Sequence, residues 1–578
     1  MVDMKKVEPT MKASDAVAQY LVRHEIIYCF DLVGGMITHL LDSLSKCEGI
    51  IITPMHHEQG AAFCAEAVGR GTKGGQMGLA MGTSGPGATN LITGICSCWF
   101  DSIPCLFITG QVNESELKGN LDVRQQGFQE LDIIQMVKGV TKYCAQVTNG
   151  ASFLPELHKA CCAAMSGRKG PVLLDVTFNA QREEIKLEEA EEWISREWEI
   201  AGAPEIGEDE MRHITKMCKS SIRPLICIGG GAVWADSMKP FLDYLRSNGI
   251  PYVSTLMGAQ WIAKDPLYLG MLGTYGRRGA NWAVQHCDLL IVIGSRLDVR
   301  QTGADAGDFA REAKIVQVDI DQAQLNNRVR TDLSIPSDAE SFFRSMLSER
   351  PEFGTTARWL EELEDIRKKM ERDEYAQSGL TPSSLFRIIH ARSVGKDIDF
   401  VADVGNHQMW TANLLELDED QCAHYSGGLG AMGFGLPTSM ALSLITDRKA
   451  VNITGDGSVQ INIQELDTLK RLDLDVCIIV LNNSALGMVK NFQDMYFDGN
   501  NQSTVIGYSN PDFVSVARAY GIKAVRVRDP EEFSKAFQDS LEYHHPSLIE
   551  VMIEDGHECK PRLVFGGKLD EQYPPLNR

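Results

Sequence analysis

Residues 450–483 read AVNITGDGSVQINIQELDTLKRLDLDVCIIVLNN. One apolar run ends in Gly455-Asp456-Gly457 and a second in Asn482-Asn483, with 24 residues, Ser458 through Leu481, between them. If both runs are strands of one parallel sheet, their ends meet at the edge where open α/β folds collect ligands. Gly455 and Gly457 let the backbone turn sharply and approach a ligand closely. A helical pattern from Ser458, with Ile461, Leu466 and Leu469 on one side, offers free N–H groups to an anion. Asp456 and an Asn side-chain oxygen suit a hard cation such as Mg²⁺, which bridges phosphates. Either half alone also reads as an ordinary turn, because Asp-Gly and Asn-Asn are common turn pairs. The joint spacing is the more specific signal.

A second stretch, TPMHHEQGAAF at 53–63, sets Glu58 between two histidines and a run of small and apolar residues. An acid there is costly to bury without a partner. The ordinary fate of such a residue is to face solvent or to cap a helix, so Glu58 acquires meaning only from its context.

These residues need a scaffold. The chain has 578 residues, 44% hydrophobic and 23% charged, which predicts a globular protein of several domains. Lys plus Arg is 56 against 78 for Asp plus Glu, a net −22 that argues against nucleic-acid and anionic-membrane partners. Fifteen cysteines lack a paired metal spacing and read as reduced thiols. No apolar run reaches membrane-span length, and the opening residues lack the apolar core of a signal peptide, so a cytoplasmic location is expected.

Strand-like runs alternate with helix-length segments in three blocks, predicting α/β domains with mostly parallel sheets flanked by helices. The blocks are 1–185, 205–345 and 380–560, with an irregular tail at 561–578. Two charged stretches join them. The second, RWLEELEDIRKKMERDEYAQSG, reads as an exposed connecting helix.

The chain resembles the acetohydroxyacid (acetolactate) synthase catalytic subunits among thiamine diphosphate enzymes. The resemblance rests on HHEQGAAF, TSGPGATN, ITGQV, GFQELDI, LGMLGTYG, VGNHQMW, GGLGAMGFGLP, GDGS, LNN and LGMV, in that order. It implies a pyrimidine-binding domain, a central FAD-type domain and a diphosphate-binding domain. It implies that Glu58 hydrogen-bonds N1′ of the cofactor aminopyrimidine, so that N4′ can take the proton from thiazolium C2. Asp456 and Asn483, with the Ala485 carbonyl, would hold Mg²⁺. Gly455, Gly457 and Ser458 would frame the diphosphate, which Asn406 and His407 would approach. The Gly430 carbonyl would accept from the 4′-amino group, Met432 would wedge the cofactor into its bent shape, and Met488 would lie near the thiazolium. Gln111, Phe128 and Lys142 would line the active site as catalytic residues. A homodimer or homotetramer with inter-subunit active sites is implied, and a regulatory subunit is left open.

For FAD, the resemblance points to Gly229, Gly230, Gly231, Arg296 and Asp319, with a structural role for the flavin. Val299 departs from the family, which has a second Asp there. The implied activity is decarboxylation of pyruvate and transfer of its two-carbon unit to an acceptor carbonyl. That acceptor is pyruvate itself, giving acetolactate, or another ketone or aldehyde such as a keto-sugar. Phe492 stands where the synthases carry Trp, which bears on acceptor choice. A diketone hydrolase or lyase, or a pyruvate oxidase, is the alternative. The intact Glu58, Asp456 and Asn483 argue against a non-catalytic homologue.

Overall fold

Continuous apolar runs such as Val476–Asn482 are buried on both faces, as strands inside parallel sheets must be. In this computed structural model they form three six-stranded sheets, every pairing in them parallel. The structure describes residues 8–374, 379–553 and 558–575, without the side chains of 370–374.

The first sheet runs Ile51–Pro54, Tyr28–Leu32, Gly78–Gly82, Cys105–Gln111, Pro171–Thr177, Tyr143–Val147. The third runs Cys422–Tyr425, Ile398–Ala402, Lys449–Gly455, Val476–Asn482, Ser547–Met552, Lys523–Val527. Counted along each stretch of chain, both follow one order, 2-1-3-4-6-5. The middle sheet differs. Its strands Tyr268–Met271, Tyr252–Ser254, Pro224–Ile228, Leu289–Ile293, Lys314–Asp319 and Leu333–Pro336 stand in the order 3-2-1-4-5-6, that of dinucleotide-binding folds.

Two compact units emerge. One holds the described residues up to Gly202 together with Gly428–Asp447 and Asn462–Leu472, and so contains the first sheet. The other holds Ala203–Gly427, Arg448–Ile461 and the described residues from Asp473 on, and contains the other two sheets. The third sequence block is therefore divided, giving two of its segments to the first unit.

In the first unit the helix Glu58–Gly71 is buried along almost its whole length. Its small residues permit this. A Cβ on Gly94 of the helix Pro86–Asp101 would stand 2.2 Å from the Ala62 Cβ. On the helix's own Gly71, a Cβ would stand 2.9 Å from both Leu442 and Ile445 of the helix Gly435–Thr446.

Two expectations need correction. The helix Ala357–Glu374 is not merely exposed: Trp359 is fully buried, stacks on Trp282 with ring centroids 5.7 Å apart and donates Nε1–H to the Pro224 carbonyl at 3.2 Å. Its charged positions hid an apolar stripe, in which Leu363 is also buried. The tail, too, is not irregular throughout. Arg562–Leu563 and Gln572–Tyr573 pair antiparallel, Leu563 N–H donates to the Thr274 carbonyl at 2.8 Å, and Leu569 is buried in a core of the second unit. Among the described residues no helix is long and apolar enough to cross a membrane.

Trp359→Ala is expected to destabilise the second unit by about 3–5 kcal/mol, the usual cost of truncating a buried Trp. Urea unfolding followed by fluorescence measures it. A loss below about 1 kcal/mol, the size of an ordinary surface change, would show that the helix is only tethered.

Candidate functional site

The register of the third sheet brings the two halves of the leading motif together. Gly455 pairs with Leu481, so Asp456 and Asn482-Asn483 leave the sheet side by side. Asp456 is buried, and its Oδ2 accepts from Tyr508 Oη and Asn510 Nδ2, both at 2.9 Å. Asn510 Nδ2 also donates to Asn482 Oδ1 at 2.9 Å. Burial pushes the Asp456 carboxyl up, opposed by these donors and by the Asn483 backbone N–H. Next to it Ser484 takes a left-handed conformation, φ +55°, in the turn leading to Ala485. Such strain in a non-glycine residue clusters at ligand sites. Tyr508 and Asn510 were not singled out in the sequence, because YSNPD carries no motif signal.

The helical pattern expected from Ser458 is corrected. Val459–Asn462 is a single 3₁₀ turn, and the α-helix starts at Glu465. Ser458 Oγ donates to the Val404 carbonyl at 2.7 Å, tying the Gly-Asp-Gly loop to the end of the neighbouring strand.

That neighbouring strand leads into the helix Asn406–Leu414. The His407 ring lies against two glycines: a Cβ on Gly405 would be 2.7 Å from its Cε1, and one on Gly455 3.0 Å. A Cβ on Gly487 would be 2.7 Å from Asn406 Nδ2 and 2.8 Å from Asn483 Nδ2, so these two amides flank one spot. Asn406 is buried with neither side-chain polar atom partnered among the described residues, and His407 Nε2 is likewise unpartnered. Burial pushes the His407 imidazole down to about 3, so it is neutral at working pH. Buried groups left without partners cost stability and call for an explanation. Together with an acid and an amide oxygen suited to a hard cation, they fit a magnesium-bound diphosphate.

Glu58 is the first residue of its helix, buried, with Oε2 accepting from Asn90 Nδ2 at 2.9 Å. His57 caps that helix, its Nδ1 accepting the Gln59 N–H at 3.0 Å. Nothing in the spacing of TSGPGATN marks Asn90 as a partner of Glu58. In the same unit, left-handed Gly430 and Gly433 (φ +69° and +85°) bracket half-buried Met432 in a turn that another residue would strain. Arg70 pairs with Glu66 and with Asp101, whose other oxygen accepts the Gly428 N–H at 2.6 Å, anchoring that turn.

The remaining catalytic candidates separate. Gln111 ends its strand at the ligand-collecting edge, but its side chain is engaged: Nε2 donates to the Leu131 carbonyl at 2.8 Å and to Asp175 at 3.0 Å, and Oε1 accepts the Val112 N–H at 3.0 Å. Phe128 is 80% exposed on a loop held by Glu130, which accepts the N–H groups of Lys118 and Gln126 at 2.6 and 2.7 Å. Lys142 is a correction. It precedes the strand Tyr143–Val147, with its N–H on the Pro171 carbonyl at 2.8 Å, and therefore sits at the opposite edge of the sheet from Gln111. Seven residues of strand separate the edges, about 20 Å at 3.3 Å per residue. Its Nζ donates to the Ser166 carbonyl, and burial lowers its pKa to about 8.

In the middle sheet Gly229, Gly230 and Gly231 follow the strand Pro224–Ile228 at the point where the strand order reverses. A Cβ on Gly229 would stand 2.2 Å from the Gly294 carbonyl oxygen, so close backbone packing alone accounts for that residue. Arg296 pairs with Asp298 at 3.1 Å, and Asp319 accepts the Asp321 N–H at 2.9 Å. Met488 packs on the core of the third sheet. Phe492 is 53% exposed on the same helix, Gly487–Tyr496, beside Tyr496 and Phe497 with ring centroids 4.7 and 6.0 Å away.

Residues 11–136, 211–346 and 403–551 match, in that order, the thiamine pyrophosphate enzyme N-terminal TPP binding domain, central domain and C-terminal TPP binding domain. The chain belongs to the thiamine pyrophosphate enzyme family. It is similar to the "Probable acetolactate synthase large subunit" of Methanocaldococcus jannaschii, 33% identical over 98% of this chain and 96% of that one. The acetolactate synthase large subunits of Cyanidium caldarium and Porphyra purpurea are each 32% identical, over 97% and 96% of this chain and 96% and 94% of theirs.

The depressed His407 pKa sets a pH dependence. Between the unfolded value of about 6.5 and the folded value of about 3, the unfolded chain binds the extra proton, so this contribution to stability is lost as pH falls through that window. Wild type should lose about 2 kcal/mol more stability than His407→Gln between pH 7.5 and pH 5. Parallel denaturant melts measure the difference, and equal losses in both proteins would contradict a neutral, buried His407.

Proposed function

We propose that the chain is an acetolactate-synthase-like carboligase that decarboxylates pyruvate and transfers the two-carbon unit to an acceptor carbonyl. What carries this reading is the cluster of Asp456, Asn483, Asn406 with both side-chain polar atoms unpartnered and His407 with Nε2 unpartnered among the described residues, in a chain similar over nearly its whole length to acetolactate synthase large subunits. Residues 1–185 would bind the pyrimidine, 205–345 FAD, and 380–560 the diphosphate, in a cytoplasmic homodimer or homotetramer.

Thiamine diphosphate, when bound, supplies a nucleophilic carbon and an electron sink for loss of CO₂. The residues of this chain do the rest. Asp456, Asn483 and the Ala485 carbonyl would hold Mg²⁺, which would neutralise the diphosphate. Asn406 and neutral His407 gain the partners they lack. Glu58 would hydrogen-bond N1′ of the aminopyrimidine and so favour one tautomer at N4′. Met432, fixed between left-handed glycines, would pack against the cofactor. In the oligomer Phe128 would exclude water, and Phe492 would shape the acceptor side. The strand order of the middle sheet supports FAD there, with a structural role, since condensation of 2-oxo acids transfers no net electrons.

Removing thiamine diphosphate and Mg²⁺ should abolish turnover of labelled pyruvate, and adding both back should restore it. Mass spectrometry of products formed with a panel of acceptors identifies the reaction. Carbon–carbon bond formation in verified cofactor-free protein would refute the proposal. Denatured protein should also release a flavin identifiable by chromatography. No release, with no binding on titration, would remove FAD.

Phe492 is smaller than the Trp of the synthases and lacks its N–H donor. One methylene in a hydrophobic pocket is worth about 1–3 kcal/mol, or roughly 10–200-fold in preference. Wild type should therefore not strongly prefer 2-oxobutyrate over pyruvate, and Phe492→Trp should shift the product ratio toward 2-oxobutyrate by about 10-fold or more. An unchanged ratio in competition assays would take acceptor choice away from this residue.

A further inference from the structure

The stretch that follows the metal loop carries an acid that this function leaves unused. Glu465 opens the helix Glu465–Arg471 and is completely buried. Its Oε1 accepts the backbone N–H groups of both residues ahead of Glu58, His56 at 3.0 Å and His57 at 3.1 Å. Its Oε2 accepts from Thr468 Oγ1 at 2.8 Å. The same short helix grips this strip of chain twice more. Asp467 meets His56 Nε2 at 2.9 Å, and Arg471 donates to the Pro54 carbonyl at 2.5 Å. Gly60, one turn beyond, is part of the fit, because a Cβ there would stand 3.1 Å from Glu465 Oε1.

We propose that Glu465 is a positioning residue for Glu58: its carboxylate fixes the backbone immediately before Glu58 and so sets where the Glu58 carboxyl sits. The inference rests on the role given to Glu58 above. The leading N–H groups of a helix have no partner within the helix, so something else must fix the conformation of the chain that enters it. Here that conformation decides where a functional side chain begins, because Glu58 is the first helical residue and one side-chain hydrogen bond, from Asn90, holds its carboxyl. Glu465 takes the two N–H groups that precede it. The positive end of the 14-residue helix favours a carboxylate at this place. Gly60 lets the carboxylate come close enough to reach both amides, which gives HHEQG a reason for its glycine as well as for its acid.

The test compares holoenzymes of wild type, Glu465→Ala, Glu465→Gln, Gly60→Ala and Glu58→Gln. The measurements are C2 proton exchange of bound thiamine diphosphate by NMR, cofactor dissociation constant by fluorescence titration, and circular dichroism for folding. Misplacing a reacting group by about 1 Å costs up to about 100-fold, so Glu465→Ala and Gly60→Ala should slow exchange about 10- to 100-fold while changing cofactor affinity less than about threefold. Glu465→Gln keeps an oxygen that can accept from both amides and should retain most of the wild-type rate. Wild-type exchange in folded Glu465→Ala overturns the inference, as does slowing matched by an equal loss of cofactor affinity. If Glu465→Ala does not fold, Gly60→Ala, which adds one methyl against the same oxygen, decides by the same criteria. Glu58→Gln separates the two claims. If its exchange is unchanged, the role of Glu58 falls. If it is slowed while Glu465→Ala and Gly60→Ala are not, only the positioning role of Glu465 falls.

Discussion

The candidate site depends on the parallel register of Lys449–Gly455 against Val476–Asn482. It sets Gly455 opposite Leu481, and so brings a carboxylate and two asparagines to one edge of the sheet. A slip of one residue would turn every side chain of a strand to the other face. Burial on both faces makes such a slip costly, because apolar residues from either side fill the cores that flank the sheet. The precision of the site is thus inherited from the core beneath it.

The first unit meets a similar demand with small residues. The helix that begins at Glu58 is packed so closely that a methyl on Gly94 of one neighbour would collide with its Ala62, and one on its own Gly71 with Leu442 and Ile445 of another. A helix so enclosed cannot shift its first turn freely. Its acids and bases are matched in place: Arg70 lies between Glu66 and Asp101, and Asp101 also holds the Gly428 N–H. Breaking such a buried set by removing one partner costs about 3–5 kcal/mol. The turn that carries Gly430 and Met432 is therefore fastened to the helix that carries Glu58.

Against these satisfied groups, Asn406 and His407 stand out. Both are buried and hold polar atoms that no described residue partners. Each such atom costs about 1–3 kcal/mol in the free protein. The glycines at 405, 455 and 487 let these side chains pack directly against backbone, where a Cβ would collide with them. Stability given up by buried polar atoms in this way is what a ligand with matching groups would restore.

The sequence by itself determined the fold class, the central strands and the leading motif. A continuous apolar run such as CIIVL leaves few alternatives to a buried strand, and glycine beside an acid at its end marks a sharp turn. Edge strands were decided by the tertiary structure. Tyr143–Val147 and Lys523–Val527 have one covered side, are partly exposed and lack a continuous apolar run, so their residues do not announce a strand. The misplacing of Lys142 follows from that: without the strand after it, nothing in the sequence says which edge of the sheet it occupies. Trp359 was hidden among charges whose helical spacing was legible but whose buried stripe needed a sheet to face. Glu465 shows the limit most plainly. Its spacing says only that it lies on a helix near Leu466, and its partners, His56 and His57, are some four hundred residues away along the chain. Local pattern reports burial and backbone geometry; which buried polar groups meet is settled only when distant segments pack, because each must find its partner away from water.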